Sequence, residues 1–179
     1  MQTNHLFYNM KIKNWAGLIL LTLLFSNCTY AQKNKPMSDK KNPHYSKTDT
    51  SKLTITNEEW KKSLPADVYN IAREKGTEYA FSGKFWNATE KGMYRCAACG
   101  NPLFTSDGKF ESSCGWPSFF EPLTPTSVKY AHDKSHGMNR EEVMCGRCDA
   151  HLGHIFDDGP PPTYKRYCIN SVILDFENK

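Results

Sequence analysis

Cys96-Ala-Ala-Cys99-Gly100 and Cys145-Gly-Arg-Cys148 are two C-x-x-C knuckles, and their reading decides the fold. Two residues of spacing let a tight turn aim both sulfurs at one point, so two knuckles supply the four thiolates of a closed tetrahedral zinc site. Each knuckle follows a short strand-like run, Gly92-Met93-Tyr94-Arg95 in one case and Glu142-Val143-Met144 in the other. Gly100 directly follows the first pair, and Gly146 inside the second is expected to permit its turn. A small β domain with many loops gains folding free energy from such a staple. Four sulfurs close the shell, so the site reads as structural; ligation by His151 or His154 is the lesser alternative.

Working outward, Gly83, Gly92, Gly100, Pro102, Gly108, Gly115 and Pro117 punctuate short aromatic or β-branched runs. Lys84-Phe85-Trp86, Lys109-Phe110-Glu111 and Val128-Lys129-Tyr130 read as strands, and Tyr167 to Phe176 as the longest one. Before them, Thr56-Asn57 followed by Glu58-Glu59 is an N-cap with acids in the first turn. Pro65 opens a second helix with Val68, Ile71 and Ala72 on one face and Gly76 beyond its end. The class is therefore mainly β: a zinc-stapled antiparallel β domain with a short helical N-terminal flank.

The chain has 179 residues, 39% hydrophobic and 13% aromatic, which is enough for one domain with a real core. Its net charge of +4 is concentrated at the start. Residues 54–179 carry a net −2, which argues against a nucleic-acid-binding face. Lys11 and Lys13 precede an apolar run from Trp15 to Phe25, the pattern of an export signal over residues 1–31 and too short for a membrane span. Cleavage after Ala31 is one expectation; a lipoprotein reading with lipidation at Cys28 is the other. Either processed form places the protein in the periplasm or cell envelope, with no transmembrane segment after processing; an uncleaved apolar N-terminus on an intracellular protein is the third reading. Residues 32–53, rich in Lys, Asn, Ser and Thr, read as a flexible polar tether, and residues 54–179 as the folded domain.

Exported proteins commonly pair their cysteines, and six remain in the folded part. Three disulfides are arithmetically open, but paired knuckles favour metal. That leaves Cys114 and Cys168. On an extended strand Arg166, Cys168 and Asn170 share a face, and a guanidinium beside a thiol favours the thiolate. An unperturbed thiol is only about 3% ionised at pH 7. Cys114 stands in Cys114-Gly-Trp116-Pro-Ser-Phe119, a tight loop able to deliver a second thiol, with Trp116 as an apolar wall. His151-Leu-Gly-His154 offers two imidazoles that can donate protons, bind metal or brace a turn.

In order along the chain, Tyr94-Arg95-Cys96-x-x-Cys99-Gly100, Cys114-Gly-Trp-Pro-Ser-Phe119 and Gly137-Met138-x-Arg140-x-Glu142-Val143-x-Cys145-x-x-Cys148 resemble the methionine-R-sulfoxide reductase B family. His151-Leu-Gly-His154-Ile-Phe156-Asp-Asp-Gly-Pro160 and Arg166-Tyr-Cys168-Ile-Asn170-Ser171 continue the resemblance, which covers about residues 55–176. Ser113, where Gly is common, and Ile155, where Val is common, are the departures. The resemblance implies a methionine-R-sulfoxide reductase with Cys168 as nucleophile, Cys114 as resolving thiol and Zn2+ on Cys96, Cys99, Cys145 and Cys148. It implies His151, His154, Arg166 and Asn170 around the oxygen and thiolate, and Trp116 and Phe156 against the substrate. Oxidised proteins or peptides would be substrates and a thioredoxin-like protein the reductant, with the enzyme a monomer. Two rivals stand beside it: a zinc-ribbon binding module without activity, and a disulfide oxidoreductase using one C-x-x-C as its redox pair.

Overall fold

A computed structural model describes residues 42–179. The expected export signal, Cys28 and the first part of the tether lie outside the described residues. The two expected helices form: α1 (Asn57–Ser63), whose first turn is capped by the Thr56 hydroxyl accepting from Glu59 N–H at 3.3 Å, and α2 (Ala66–Glu74), which buries Val68, Ile71 and Ala72. Such a cap stabilises a helix by about 1 kcal/mol.

Among the described residues nine strands, all paired antiparallel, make two sheets. The smaller orders β2 (Pro102–Thr105), β1 (Gly92–Cys96) and β9 (Leu174–Asn178). The larger orders β3 (Lys109–Phe110), β4 (Ser118–Phe119), β8 (Arg166–Ile169), β7 (His151–Phe156), β6 (Arg140–Cys145) and β5 (Val128–Asp133). Aromatic rings fill the space between the sheets. Phe104 of β2 stacks on Phe119 of β4 with centroids 4.4 Å apart, and Tyr94 of β1 meets Phe119 edge-on at 5.0 Å. The knuckle cysteines join the same two sheets at another point, because Cys96 ends β1 and Cys145 ends β6.

Two strand expectations need correction. Lys84-Phe85-Trp86 is turn rather than strand; Phe85 N–H donates to Ser171 Oγ at 3.1 Å, a partner the sequence does not reveal. Tyr167 to Phe176 is not one strand. It breaks at Asn170 into a 3-10 turn over Ser171–Ile173, where the Glu78 carboxylate accepts the N–H groups of Ser171 and Val172 at 2.6 and 3.0 Å. The chain thereby leaves the large sheet as β8 and enters the small one as β9, a crossover made inside what reads as one long strand.

The flexible tether also needs correction, for residues 42–53. They lie against the knuckles. Asn42 donates to Ala98 O at 2.7 Å, and Ser46 N–H to Cys99 O at 3.0 Å. Arg147, 3% exposed, reaches from inside the second knuckle to His44 O, Ser51 O and the Asp49 carboxylate, and to Cys99 O at 2.5 Å. Polar composition reads as linker, but here the polar groups are the backbone and side-chain partners of one buried guanidinium. No helix among the described residues is long and apolar enough to cross a membrane.

Candidate active site

The register of the large sheet aligns the site. Ser118 pairs with Cys168, Cys168 with His154, and His154 with Glu142, so four side chains stand in one row across β4, β8, β7 and β6. Paired residues in antiparallel strands share a face, so the thiol and the imidazole are neighbours. His151 and His154 are three apart and would point to opposite faces of a regular strand. A bulge intervenes: Val143 pairs with Gly153 and Met144 with His151, leaving Leu152 without an opposite residue. This returns both imidazoles to one side, with ring centroids 5.4 Å apart. Gly153 is needed at the bulge because a Cβ there would sit 2.0 Å from Cys168 O.

Cys114 Sγ lies 3.6 Å from Cys168 Sγ, 3.4 Å from Ser118 Oγ and 3.5 Å from Trp116 O. A disulfide is about 2.05 Å long, so forming one requires the sulfurs to close by about 1.6 Å, a small movement for a loop residue. Burial alone would raise the Cys114 thiol, but hydrogen bonds from Ser112 and Ser118, with Trp116 and Cys168, bring it down to about 7. Cys168 goes the other way, pushed up to about 12 by burial and then by the adjacent Cys114 sulfur, with Arg166 opposing. At Cys168 burial outweighs the guanidinium that the sequence places beside it. Arg166 is present, but its guanidinium is held by Asp158 through two hydrogen bonds of 2.8 Å and lies over the Phe156 ring at 4.5 Å.

These values predict an order of alkylation in the reduced, metal-loaded protein. Cys114 should react first, its rate half-maximal near pH 7 and rising with pH, while Cys168 stays unreactive until far more alkaline. Peptide mass mapping after a short iodoacetamide pulse across a pH series reads this directly; preferential labelling of Cys168 at neutral pH would reverse the assignment.

Of the other expected residues, Trp116 is fixed by its indole N–H donating to Glu78 O at 3.2 Å. Asn170, expected near the thiol, braces the neighbouring backbone. Its carboxamide donates to Leu152 O at 3.0 Å and accepts Glu78 N–H at 3.0 Å, so it holds the segment on which Trp116 rests. Sequence reading passed over three acids. Glu142, 1% exposed, binds His151 Nδ1 at 2.7 Å and Lys75 Nζ at 2.6 Å. Asp133 binds His154 Nε2 at 2.7 Å. Glu78 braces the crossover. Only Glu142, through Glu142-Val143, lay inside a quoted motif. Burial lowers both imidazoles below the ordinary histidine range, and the carboxylate beside each works against that.

The four knuckle cysteines form a separate cluster, all buried, with their sulfurs within 4.8 Å of one another. Cys96 Sγ is 3.8 Å from Cys148 Sγ, and Cys99 Sγ is 3.6 Å from Cys145 Sγ. Sulfurs on the corners of a tetrahedron about 2.3 Å from zinc would stand about 3.8 Å apart, so the two separations of 3.8 and 3.6 Å fit such an ion. No pair is near disulfide length, which removes the three-bridge alternative for this conformation. The turns match: Cys96 N–H donates to Asn101 O and Cys145 N–H to Ala150 O, while the residues four beyond each first cysteine, Gly100 and Asp149, take left-handed φ of 80° and 57°. Gly146 is therefore not the turn residue that the sequence suggests. It is there because a Cβ would sit 2.0 Å from Thr126 O.

A sequence model of the SelR domain matches residues 64–178. The chain is 51% identical over 141 residues to "Peptide methionine sulfoxide reductase MsrB" of Agrobacterium fabrum, covering 79% of this chain and 98% of that one. It is 56% identical over 124 residues to the protein of the same name from Pseudomonas fluorescens, covering 69% and 95%, and 56% over 122 residues to that of Methanosarcina barkeri, covering 68% and 86%. With two thiols 3.6 Å apart beside paired imidazoles and a separate four-cysteine cluster, the chain belongs to the SelR-domain family, the peptide methionine sulfoxide reductases of the MsrB type.

Proposed function

We propose that the protein is an oxidoreductase that reduces the R epimer of methionine sulfoxide in oxidised peptides and proteins to methionine. The observation that carries this reading is the row Ser118–Cys168–His154, with Cys114 Sγ 3.6 Å from Cys168 Sγ. Cys168 is a thiol at rest, so its proton must leave as its sulfur attacks. A sulfoxide becomes a good electrophile only when its oxygen is protonated, and His154, paired with Cys168 across the strands, is placed to carry that proton. The substrate S–O bond breaks, its electron pair stays on the methionine sulfur, and Cys168 is left as a sulfenic acid. Cys114, ionised to about half near pH 7, then attacks the sulfenic sulfur, and the hydroxide it displaces takes a proton to leave as water, giving the Cys114–Cys168 disulfide. A thioredoxin-like dithiol returns both sulfurs to the reduced state.

Epimer selection follows from walls of unlike chemistry: Trp116 and Phe156 are apolar and immobilised, by Glu78 and by Arg166, while His154 and Arg166 supply the polar side. The four knuckle thiolates would hold Zn2+ as a structural ion; a full sulfur set leaves it no open position for substrate. One chain holds every residue of the site, so a monomer suffices. The signal-like residues 1–31 support export, with damaged envelope proteins as the substrate pool.

Activity on separated R and S epimers of a blocked methionine sulfoxide, with dithiothreitol as reductant, tests the reading. Turnover of the R epimer alone is expected, falling by at least about a thousandfold in Cys168→Ser. Turnover of the S epimer, or activity surviving the substitution, would overturn it. A folded, metal-loaded protein inactive on both would return the binding module to first place.

A further inference from the structure

Two carboxylate–imidazole pairs lie side by side at this site, and they differ in a way the reaction can use. Glu142 and His151 are sealed, at 1% and 3% side-chain exposure, with only Lys75 reaching Glu142 from the end of α2. Asp133 and His154 are more open, at 15% and 13%. Asp133 closes β5, and its carboxylate spans β6 to reach β7. It is fastened in place by three donors: Oδ1 accepts Ser135 N–H at 2.9 Å, and Oδ2 accepts Arg140 Nη2 at 2.6 Å and meets His154 Nε2 at 2.7 Å. Those partners, Ser135 first, hold the acid far below the ordinary carboxylate range.

An ionised carboxylate can only accept, so the His154 nitrogen beside it must carry a hydrogen. We propose that Asp133 is the positioning residue that fixes His154 as its Nε2–H tautomer, reserves Nδ1 for proton exchange at the thiol row, and makes His154 rather than His151 the site of the imidazolium. Two imidazoles with centroids 5.4 Å apart cannot both be charged cheaply; each has a carboxylate, but Glu142 is shared with Lys75 in a sealed pair while Asp133 serves the ring more open to water, so the charge settles on His154. Every charged or titratable group around His154 enters this balance. Asp133 comes from β5, Arg140 and Glu142 from β6, His151 from β7 itself, and Cys168 and Arg166 from β8. Asp133 favours the charged ring, Arg140 opposes it, and Glu142 is already committed to His151 and Lys75.

This inference rests on the proposed reduction, in which the proton sequence balances. The Cys168 thiol gives its proton to the His154 pair as His154 Nδ1 gives one to the sulfoxide oxygen. The ring ends as it began, Cys168 sulfur loses two electrons, and the methionine sulfur gains them.

The experiment compares Asp133→Asn, Asp133→Glu and Arg140→Gln in the metal-loaded protein. Histidine 15N–1H correlation spectra read the tautomer without any turnover. The wild type should show His154 protonated on Nε2, Asp133→Asn a mixture, and Arg140→Gln the wild-type pattern. In kcat/KM for the R epimer against pH, Asp133→Asn should lose roughly 10- to 100-fold, with its alkaline decline moved to lower pH, because a ring without its carboxylate gives up its proton sooner. Asp133→Glu should restore part of the loss. An Nδ1–H tautomer in the wild type, an unchanged tautomer in Asp133→Asn, or equal losses in Asp133→Asn and Arg140→Gln would overturn the proposal. Should the wild type reduce neither epimer, the reaction is misread, and the tautomer spectra still decide what Asp133 does.

Discussion

Replacing Cys99 by serine, or withdrawing the metal with a strong chelator, is expected to unfold the protein rather than merely inactivate it. All four sulfurs are buried, and they stand at the one place where a turn from the small sheet meets a turn from the large one. The strap of residues 42–53 is fastened to the same turns through Cys99 O and Arg147, so losing their geometry releases it too. A structural zinc site contributes about 10–16 kcal/mol to the state that binds it, against a typical net stability of about 5–15 kcal/mol. The two are of the same size, so the apo chain has little left. Near-ultraviolet circular dichroism and bound-metal content should therefore fall together on chelation, with the midpoint of thermal unfolding lost in Cys99→Ser. A metal-free protein that kept its native spectrum would show that the aromatic core between the sheets suffices, and that the cysteine cluster serves something other than folding.

The parts of this molecule that can be read from its sequence are those whose partners lie within a few residues. A knuckle is such a unit, and so are the Thr56 cap and the apolar face of α2. The rest depends on neighbours brought from far along the chain. Tyr167 to Phe176 reads as one strand by its aromatic and β-branched residues, and although the adjacent polar pair Asn170-Ser171 interrupts its alternation, nothing local announces that Glu78, more than ninety residues earlier, will bind the Ser171 and Val172 amides and turn the strand out of its sheet. The bulge at Leu152 is equally silent, yet it decides whether His151 and His154 meet. The site's thiols and imidazoles stood out because those residue types are rare and reactive. Asp133 did not, because an aspartate between a histidine and a lysine at the edge of a polar turn reads as surface, and only the sheet order brings β5 within reach of β7. Arg166 shows the opposite failure. Its place beside Cys168 was legible and it does oppose the rise, but the burial of the thiol, which the sequence does not show, outweighs it.

Cys114→Ser should leave the first chemical step intact and stop the cycle after it. Cys114 is not needed for sulfur attack or for protonating the sulfoxide oxygen, so one equivalent of methionine should appear per chain in a rapid burst. Its removal also takes away the sulfur that, after burial, does most to raise Cys168, so the nucleophile should ionise more easily and the burst should not slow. What is lost is the intramolecular thiol 3.6 Å away. A well-placed neighbouring group acts at an effective concentration of about 10⁵ M or more, and no protein dithiol in solution approaches that. Steady turnover with a thioredoxin-like donor should therefore fall by at least about a hundredfold, while small thiols such as dithiothreitol, which can enter the site, rescue part of it. Mass analysis after the burst should find one added oxygen, confined to the peptide containing Cys168. Undiminished turnover with a protein dithiol would mean that the sulfenic acid is reduced directly and that the close approach of Cys114 has another purpose. Loss of the burst itself would mean that the Cys114 thiolate is required for attack, and that the two sulfurs act as one nucleophile sharing a single proton.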